Sequence, residues 1–169
     1  MKHTISPVYD KNSRILILGS FPSVKSREQQ FFYGHKQNRF WKVLAAIFGC
    51  PVPEKIEDKR KMLLENHVAV WDVIESCTIT GSSDASIRDV VPNDLSRIFD
   101  KADIQKIYAN GTKAYELYGK HLKPVWNREC IKLPSTSPAN AAYSLERLVK
   151  EWEVIKKSPH AECLYTGAR

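Results

Sequence analysis

The side chains that invite a chemical reading fall in three short segments. Asn38 lies in Gly34-His35-Lys36-Gln37-Asn38-Arg39-Phe40-Trp41, where an amide, an imidazole and a guanidinium come close together in sequence. This stretch follows an aliphatic run and a small-residue turn, Ile15-Leu16-Ile17-Leu18-Gly19-Ser20-Phe21-Pro22-Ser23. A hydrophobic strand ending in such a turn, followed by a helix with a polar amide at its start, is how α/β folds build small-molecule pockets. Far down the chain Leu133-Pro134-Ser135-Thr136-Ser137-Pro138-Ala139-Asn140 repeats the layout. Two such loops at the carboxyl edge of one sheet can form the walls of one cleft. An asparagine at a helix start is also a common cap, and the residues by themselves leave both roles open for Asn38.

The elements that must position these segments are legible from hydrophobic spacing. Residues 14–18 read as a buried strand, 68–73 and 104–108 as further strands, and 130–133 as a fourth, short one. Residues 38–48 read as a helix, with Phe40, Leu44 and Phe48 on one stripe beside Trp41 and Ala45. Residues 54–66 form a more polar helix that buries Ile56, Leu63 and Leu64. Asn93 is placed to cap a short helix burying Leu95, Ile98 and Phe99. Residues 112–119 form a helix packing Ala114, Leu117 and Tyr118, and Ser144 caps a last helix with the stripe Leu145, Leu148, Val149, Trp152 and Ile155. Residues 75–89 read as a polar loop, too long for a simple connector, and residues 158–169 as an irregular tail. Trp41 and Trp152 fall on apolar stripes and read as core.

Strands alternating with helices imply right-handed crossovers and a parallel sheet covered on both faces. The expected fold is α/β, a three-layer α/β/α sandwich with a central four-stranded parallel sheet. It forms a single domain over residues 1–169, with its core at about 13–157. Ligands in such sheets bind outside the carboxyl ends of the strands, here residues 19–23, 72–76, 110–112 and 134–140.

Composition narrows the partners. The chain has 169 residues and a net charge of +7. Residues 1–50 hold eight basic groups (Lys2, Lys11, Arg14, Lys25, Arg27, Lys36, Arg39, Lys42) against Asp10 and Glu28, so +6 of that excess lies with the first loop and its helix. A basic surface beside a pocket suits a polyanion, and nucleic acid is the commonest. Cys50, Cys77, Cys130 and Cys163 form no close pair and read as reduced, packed thiols rather than an iron–sulfur site. No apolar run reaches the roughly 20 residues needed to span a bilayer, and the first residues lack an apolar leader. The expected location is the cytoplasm. The patterns G-x-x-x-x-G-K-[ST] and G-x-G-x-x-G are absent, which argues against an unrelated nucleotide-binding enzyme.

Taken together, Gly19-Ser20-Phe21-Pro22-Ser23, the run from Tyr33 to Asn38-Arg39-Phe40-Trp41, and Pro134-Ser135 resemble the uracil-DNA glycosylase superfamily. The forms Gly-Ser-Phe-Pro and Leu-Pro-Ser-Thr-Ser-Pro-Ala-Asn are most similar to its hypoxanthine (deoxyinosine) branch. The likeness covers about residues 13–157. It implies a monofunctional DNA glycosylase of base excision repair that hydrolyses the N-glycosidic bond of a deaminated base, hypoxanthine first. The alternatives are a G:U/G:T mismatch-specific uracil or thymine glycosylase and an inactive module that binds damaged DNA. One departure bears on the choice. Many members of the superfamily carry Asp, Asn or Glu third in the first loop to position water. Phe21 stands there, as it does in the deoxyinosine branch, and phenylalanine cannot orient water.

The resemblance makes Asn38 the catalytic residue, holding one water for attack on an oxocarbenium-like sugar, with its carbonyl and nearby backbone donors facing the cleft. Gly19, Ser20, Phe21, Tyr33, Asp72 and Ser135 form the substrate set: Tyr33 stacks on the extruded base, Asp72 reads its edge, and Ser135 grips the adjoining phosphate. Lys25, Arg27 and Arg39 are the expected phosphate contacts, and the loop with Ser137, Pro138 and Asn140 enters the gap left in the duplex. Each has a plainer role open to it: solvated charge for the basic groups, a turn for the loop, a carboxylate on backbone amides for Asp72, and loop packing on Phe31 or Phe32 for Tyr33. His35, three residues ahead of Asn38, reads as structural, with a catalytic role also open to it. The expected partner is double-stranded DNA containing a deaminated base, met by a monomer without metal, cofactor or membrane.

Overall fold

A central sheet is built from four short strands, fully buried in the first two and exposed along most of the last. In the computed structural model, which describes residues 1–3, 5–80 and 84–156, these are β1 (Ile15–Gly19), β2 (Val68–Asp72), β5 (Lys106–Asn110) and β6 (Ile131–Leu133). Every residue of β1 and β2 is buried, as continuous apolar strands covered on both faces require. All pairings are parallel, in the order β2-β1-β5-β6. Gly19 pairs with Asp72, Leu18 with Ala109, and Asn110 with Leu133. The carboxyl ends of the four strands therefore share one edge.

The connections carry the helices α1 (Val24–Gln29), α2 (Phe40–Phe48) and α3 (Ile56–Glu65) between β1 and β2. A second set follows β2: α4 (Ser96–Phe99) before β5, then α5 (Thr112–His121) and α6 (Lys123–Trp126) before β6. The first set moves outward from β1 in one direction and the second in the other. Crossovers of one hand then place the two sets on opposite faces. The last helix, α7 (Leu145–Trp152), packs against α2, where the Trp152 ring meets Phe40 edge-on at 5.9 Å. The result is the expected three-layer arrangement. The connections diverge between β1 and β5, and an α/β sheet opens its ligand crevice at such a switch point.

Several expectations are corrected. Residues 75–89 are not one loop: β3 (Ile74–Thr78) and β4 (Arg88–Pro92) form an antiparallel hairpin with register shifts. Its strands are largely half-exposed and carry Glu75, Arg88 and Asp89, so their composition hid them. Asn93 caps no helix; its Nδ2 donates to the Asp72 carbonyl at 2.9 Å, and Asp94 Oδ1 accepts from Ser96 N instead. Ile56 and Leu145 are exposed rather than packed, because each stands at the first turn of its helix, beyond the edge of the core. Ser144 does cap α7, accepting from Arg147 N at 3.2 Å. Trp41 and Trp152 are core. The expected tail at 158–169, with Cys163, lies outside the described residues; Cys50, Cys77 and Cys130 are free thiols.

Candidate active site

Helix α2 begins at Phe40, and Asn38 stands just ahead of it. Its Oδ1 accepts from Phe40 N at 3.0 Å, so the side chain closes the helix start. The same oxygen accepts from the Thr136 hydroxyl at 2.8 Å. Thr136 is fully buried in the second loop. Its Oγ1 accepts from Asn110 Nδ2 at 3.0 Å, and its backbone N donates to Asn110 Oδ1 at 3.1 Å. Arg39 N donates to the Thr136 carbonyl at 3.0 Å. Three carboxyl-edge segments thus meet at one amide. The expectation that the Asn38 carbonyl faces the cleft is corrected, because two protein donors already occupy it.

At the neighbouring strand end, Asp72 closes β2 with a buried carboxyl. A Cβ on Gly19 would stand 2.6 Å from Asp72 Oδ1 and 3.2 Å from the Tyr33 hydroxyl, so both polar groups close over a position that only glycine leaves open. Asp72 Oδ2 and the Tyr33 hydroxyl are buried without a hydrogen-bond partner in proper geometry. Unsatisfied buried polar atoms are rare and ask for an explanation. Burial pushes the Asp72 carboxyl up to about 7 and pushes the Tyr33 phenol upward, with the Asp72 charge adding to it. His3 Nε2 lies 3.8 Å from Asp72 Oδ2 but 2.8 Å from the Ile74 carbonyl. Burial lowers the His3 pKa, so both partners are driven toward neutrality and the contact is polar rather than an ion pair at neutral pH.

Tyr33 is held firmly. Its φ of 52° lies in the left-handed region, where a non-glycine residue carries strain. Stacking on Phe40 at 3.9 Å and a hydrogen bond from Trp41 Nε1 to its carbonyl at 3.2 Å hold it there. Phe40, rather than Phe31 or Phe32, is its stacking partner, and it occupies one face of the ring.

The Phe21 ring packs edge-on against His3 at 5.3 Å, under the Arg27 guanidinium at 5.4 Å. The carbonyls of Gly19 and Ser20 accept from Val73 N and Ile74 N, which pins the first loop to the hairpin. Ser135 Oγ accepts from Ser137 N at 3.1 Å, and the Ser135 Cβ would lie 3.1 Å from one on Gly111. Pro138 is exposed, and Asn140 Nδ2 donates to the Ser135 carbonyl at 3.0 Å. Arg39 has a task other than the phosphate contact expected of it: its guanidinium donates to the carbonyls of Ser137 (3.1 Å), Asn140 (3.0 Å) and Tyr143. Those bonds leave it a clamp on the second loop. Lys25 is exposed and 3.5 Å from Glu28. Arg27 also donates to the Ser23 carbonyl and to the Met1 sulfur. His35 is structural in its contacts, accepting from Gln37 N at Nδ1 and from Asn38 N at its carbonyl.

A family model described as the uracil DNA glycosylase superfamily matches residues 6–157. The chain belongs to this superfamily. It is thereby a DNA glycosylase, and DNA is its substrate. A hypoxanthine DNA glycosylase of Methanosarcina acetivorans is 35% identical over 157 residues, covering 92% of this chain and 98% of that protein. Another, of Methanosarcina barkeri, is 33% identical over 117 residues, or 68% of this chain and 74% of the relative. A solution NMR structure from Methanosarcina acetivorans, described provisionally as a uracil DNA glycosylase, superposes with a TM-score of 0.79 at 36% identity. It covers 95% of this chain and 98% of its own. Among the described residues of this glycosylase, no group of three or more His, Cys, Asp or Glu is placed to hold a metal. No described helix is long and apolar enough to cross a membrane.

Sequence reasoning passed over Asn110 and Thr136. Both lie at carboxyl-edge positions, the one ending a strand and the other inside the Pro-Ser loop. A polar residue at each of these ends was the available signal.

Proposed function

We propose that this glycosylase removes deaminated bases, hypoxanthine before others, from double-stranded DNA and leaves an abasic site without cutting the strand. The chain acts as one domain, as a monomer. The observation that carries this reading is the contrast between two loop residues. Phe21 fills the loop position with a ring that cannot orient water, while Asn38, ahead of α2, is fixed by two hydrogen bonds to its oxygen. The names of the two relatives support the choice of base.

In the step itself, the oxygen of a water bonds to C1′ and the N-glycosidic bond breaks. Its electron pair leaves with the base. The base takes up one proton and the water gives one up to solvent. The transition state resembles an oxocarbenium ion, so positioning of water matters more than nucleophilic strength. Asn38 holds that water. Asp72, neutral below about pH 7, offers an O–H to the acceptor edge of an extruded base; hypoxanthine presents O6 and N7 there, as guanine does. Gly19, Ser20 and Tyr33 bound the base, and Ser135 lies where the neighbouring phosphate would pass. Ser137, Pro138 and Asn140 occupy the gap, and Lys25 and Arg27 supply positive charge at its margin.

Labelled duplexes carrying one hypoxanthine, uracil or xanthine, incubated with the protein and then treated with hot alkali, test the reading. Cleavage at hypoxanthine, only after alkali, is expected. Preference for uracil opposite guanine would replace hypoxanthine as the substrate. Binding without cleavage on any lesion would make the chain a damage-binding module.

A further inference from the structure

Two backbone N–H groups set the direction of every hydrogen bond that the Asn38 side chain makes. Phe40 N can only donate, so the Asn38 atom facing it is Oδ1 and not Nδ2. Thr136 N likewise fixes Asn110 with its oxygen toward that N–H, which turns Asn110 Nδ2 toward Thr136 Oγ1. The Thr136 oxygen thus receives a proton from Asn110, and its own hydroxyl proton goes to Asn38 Oδ1 at 2.8 Å. A carbonyl oxygen has two lone pairs, and both of those on Asn38 are taken. Its Nδ2 has no hydrogen-bond partner among the described residues, and Asn38 is only half-buried.

We infer that Asn38 works as a hydrogen-bond donor through Nδ2, and that Thr136 and Asn110 are positioning residues that keep the amide turned that way. The inference rests on the glycosylase reading above and specifies how its central residue acts. The water is held by one lone pair and keeps the other for C1′. Neither positioning residue touches the reacting atoms. Each acts by removing the freedom of the amide to flip, and misplacement of a reacting group by about 1 Å can cost on the order of a hundredfold in rate.

The Asn38→Asp substitution separates a donor from an acceptor at nearly constant size. It keeps an oxygen for Phe40 N and for the Thr136 hydroxyl, and replaces only the Nδ2 end. Single-turnover excision by this variant should fall by about a hundredfold or more, as when one donor to a transition state is removed, with the melting temperature kept. Activity close to wild type would show that an acceptor suffices and would overturn the inference. Thr136→Val should lower kcat by about tenfold or more with little change in KM, and Thr136→Ser should restore most of it. Equal loss in both Thr136 variants, or loss confined to KM, would reduce Thr136 to packing. NMR supplies an arm that needs no turnover: a slowly exchanging Thr136 hydroxyl proton should be visible in the wild type and disappear in Asn110→Asp, whose carboxylate would draw that hydroxyl away from Asn38. Its absence from the wild type would overturn the network. Failure to excise hypoxanthine with this proton present would overturn the substrate reading and leave the network standing.

Discussion

Asp72 is the residue on which the pH dependence turns. Its carboxyl is buried at the end of β2, and among the described residues no lysine or arginine pairs with it to hold a negative charge. The groups that face it are His3, which burial keeps neutral at pH 7, and the Tyr33 phenol, held neutral by a raised pKa. Glu75 and Arg27 act on His3 from opposite sides, the one raising and the other lowering its pKa. With a folded pKa near 7 against 3.8 unfolded, the native state keeps a proton that the unfolded chain has lost. Stability therefore declines as pH rises from about 4 to 7. His3 acts on the acid side, where its lowered pKa costs stability below pH 6.5. Asp72→Asn should flatten the decline and raise the melting temperature at pH 8. In excision assays, the wild type should lose kcat/KM as pH rises through about 7, while Asp72→Asn, which keeps a donor, should not. Equal pH slopes for the two proteins in both measurements would remove Asp72 from this role. The residue type and its strand-end position were readable in the sequence. Its neutrality was not, because it arises from burial, which depends on residues distant in sequence folding over the strand end.

At the scale of elements, the second loop owes its shape to α2. Arg39 is the N-cap of that helix, yet its side chain caps nothing. It reaches the carbonyls of Ser137, Asn140 and Tyr143 instead. A planar guanidinium can donate to several carbonyls at once, which the point charge of lysine does not reproduce. Arg39→Lys should leave the melting temperature within a few degrees of wild type and speed amide exchange across residues 137–143 by about tenfold or more. Unchanged protection there would show that the loop holds itself. The loop was visible in the sequence as a Pro- and Ser-rich turn beside a strand. The clamp was hidden, since an arginine next to Asn38 in a basic segment reads as a phosphate contact. Hairpin β3-β4 was hidden for a different reason. Its strands are half-exposed, so their polar residues imitate a loop, and its packing on the first loop through Val73 N and Ile74 N is a long-range fact.

Across the whole molecule, the topology does most of the positioning. Four strands in parallel register bring Gly19, Asp72, Asn110 and the Pro134 loop to one edge, and the divergence of crossovers beside β1 falls at that edge. The parallel sheet and the segments at its carboxyl edge followed from hydrophobic runs and the alternation of strands with helices; the strand order and the point of divergence did not, because pairing between strands is a long-range fact. The concentration of charge in residues 1–50 was equally readable, but not its disposition. Arg14 sits at the opposite end of β1 and donates to the carbonyls of Lys11 and Ser13, and Lys2 pairs with Glu75 at 3.2 Å. Lys36 and Lys42 remain exposed beside Asn38. The charge that faces DNA is therefore smaller than the sequence total.

The central claim is that this crevice breaks an N-glycosidic bond with Asn38 as the working amide. Single-turnover excision from a hypoxanthine duplex, measured beside duplex affinity for wild type and Asn38→Ala, tests it most directly. The account predicts a fall in excision of about a hundredfold or more, with affinity within a few-fold of wild type. Excision unchanged by the substitution, or lost only in proportion to binding, would contradict it.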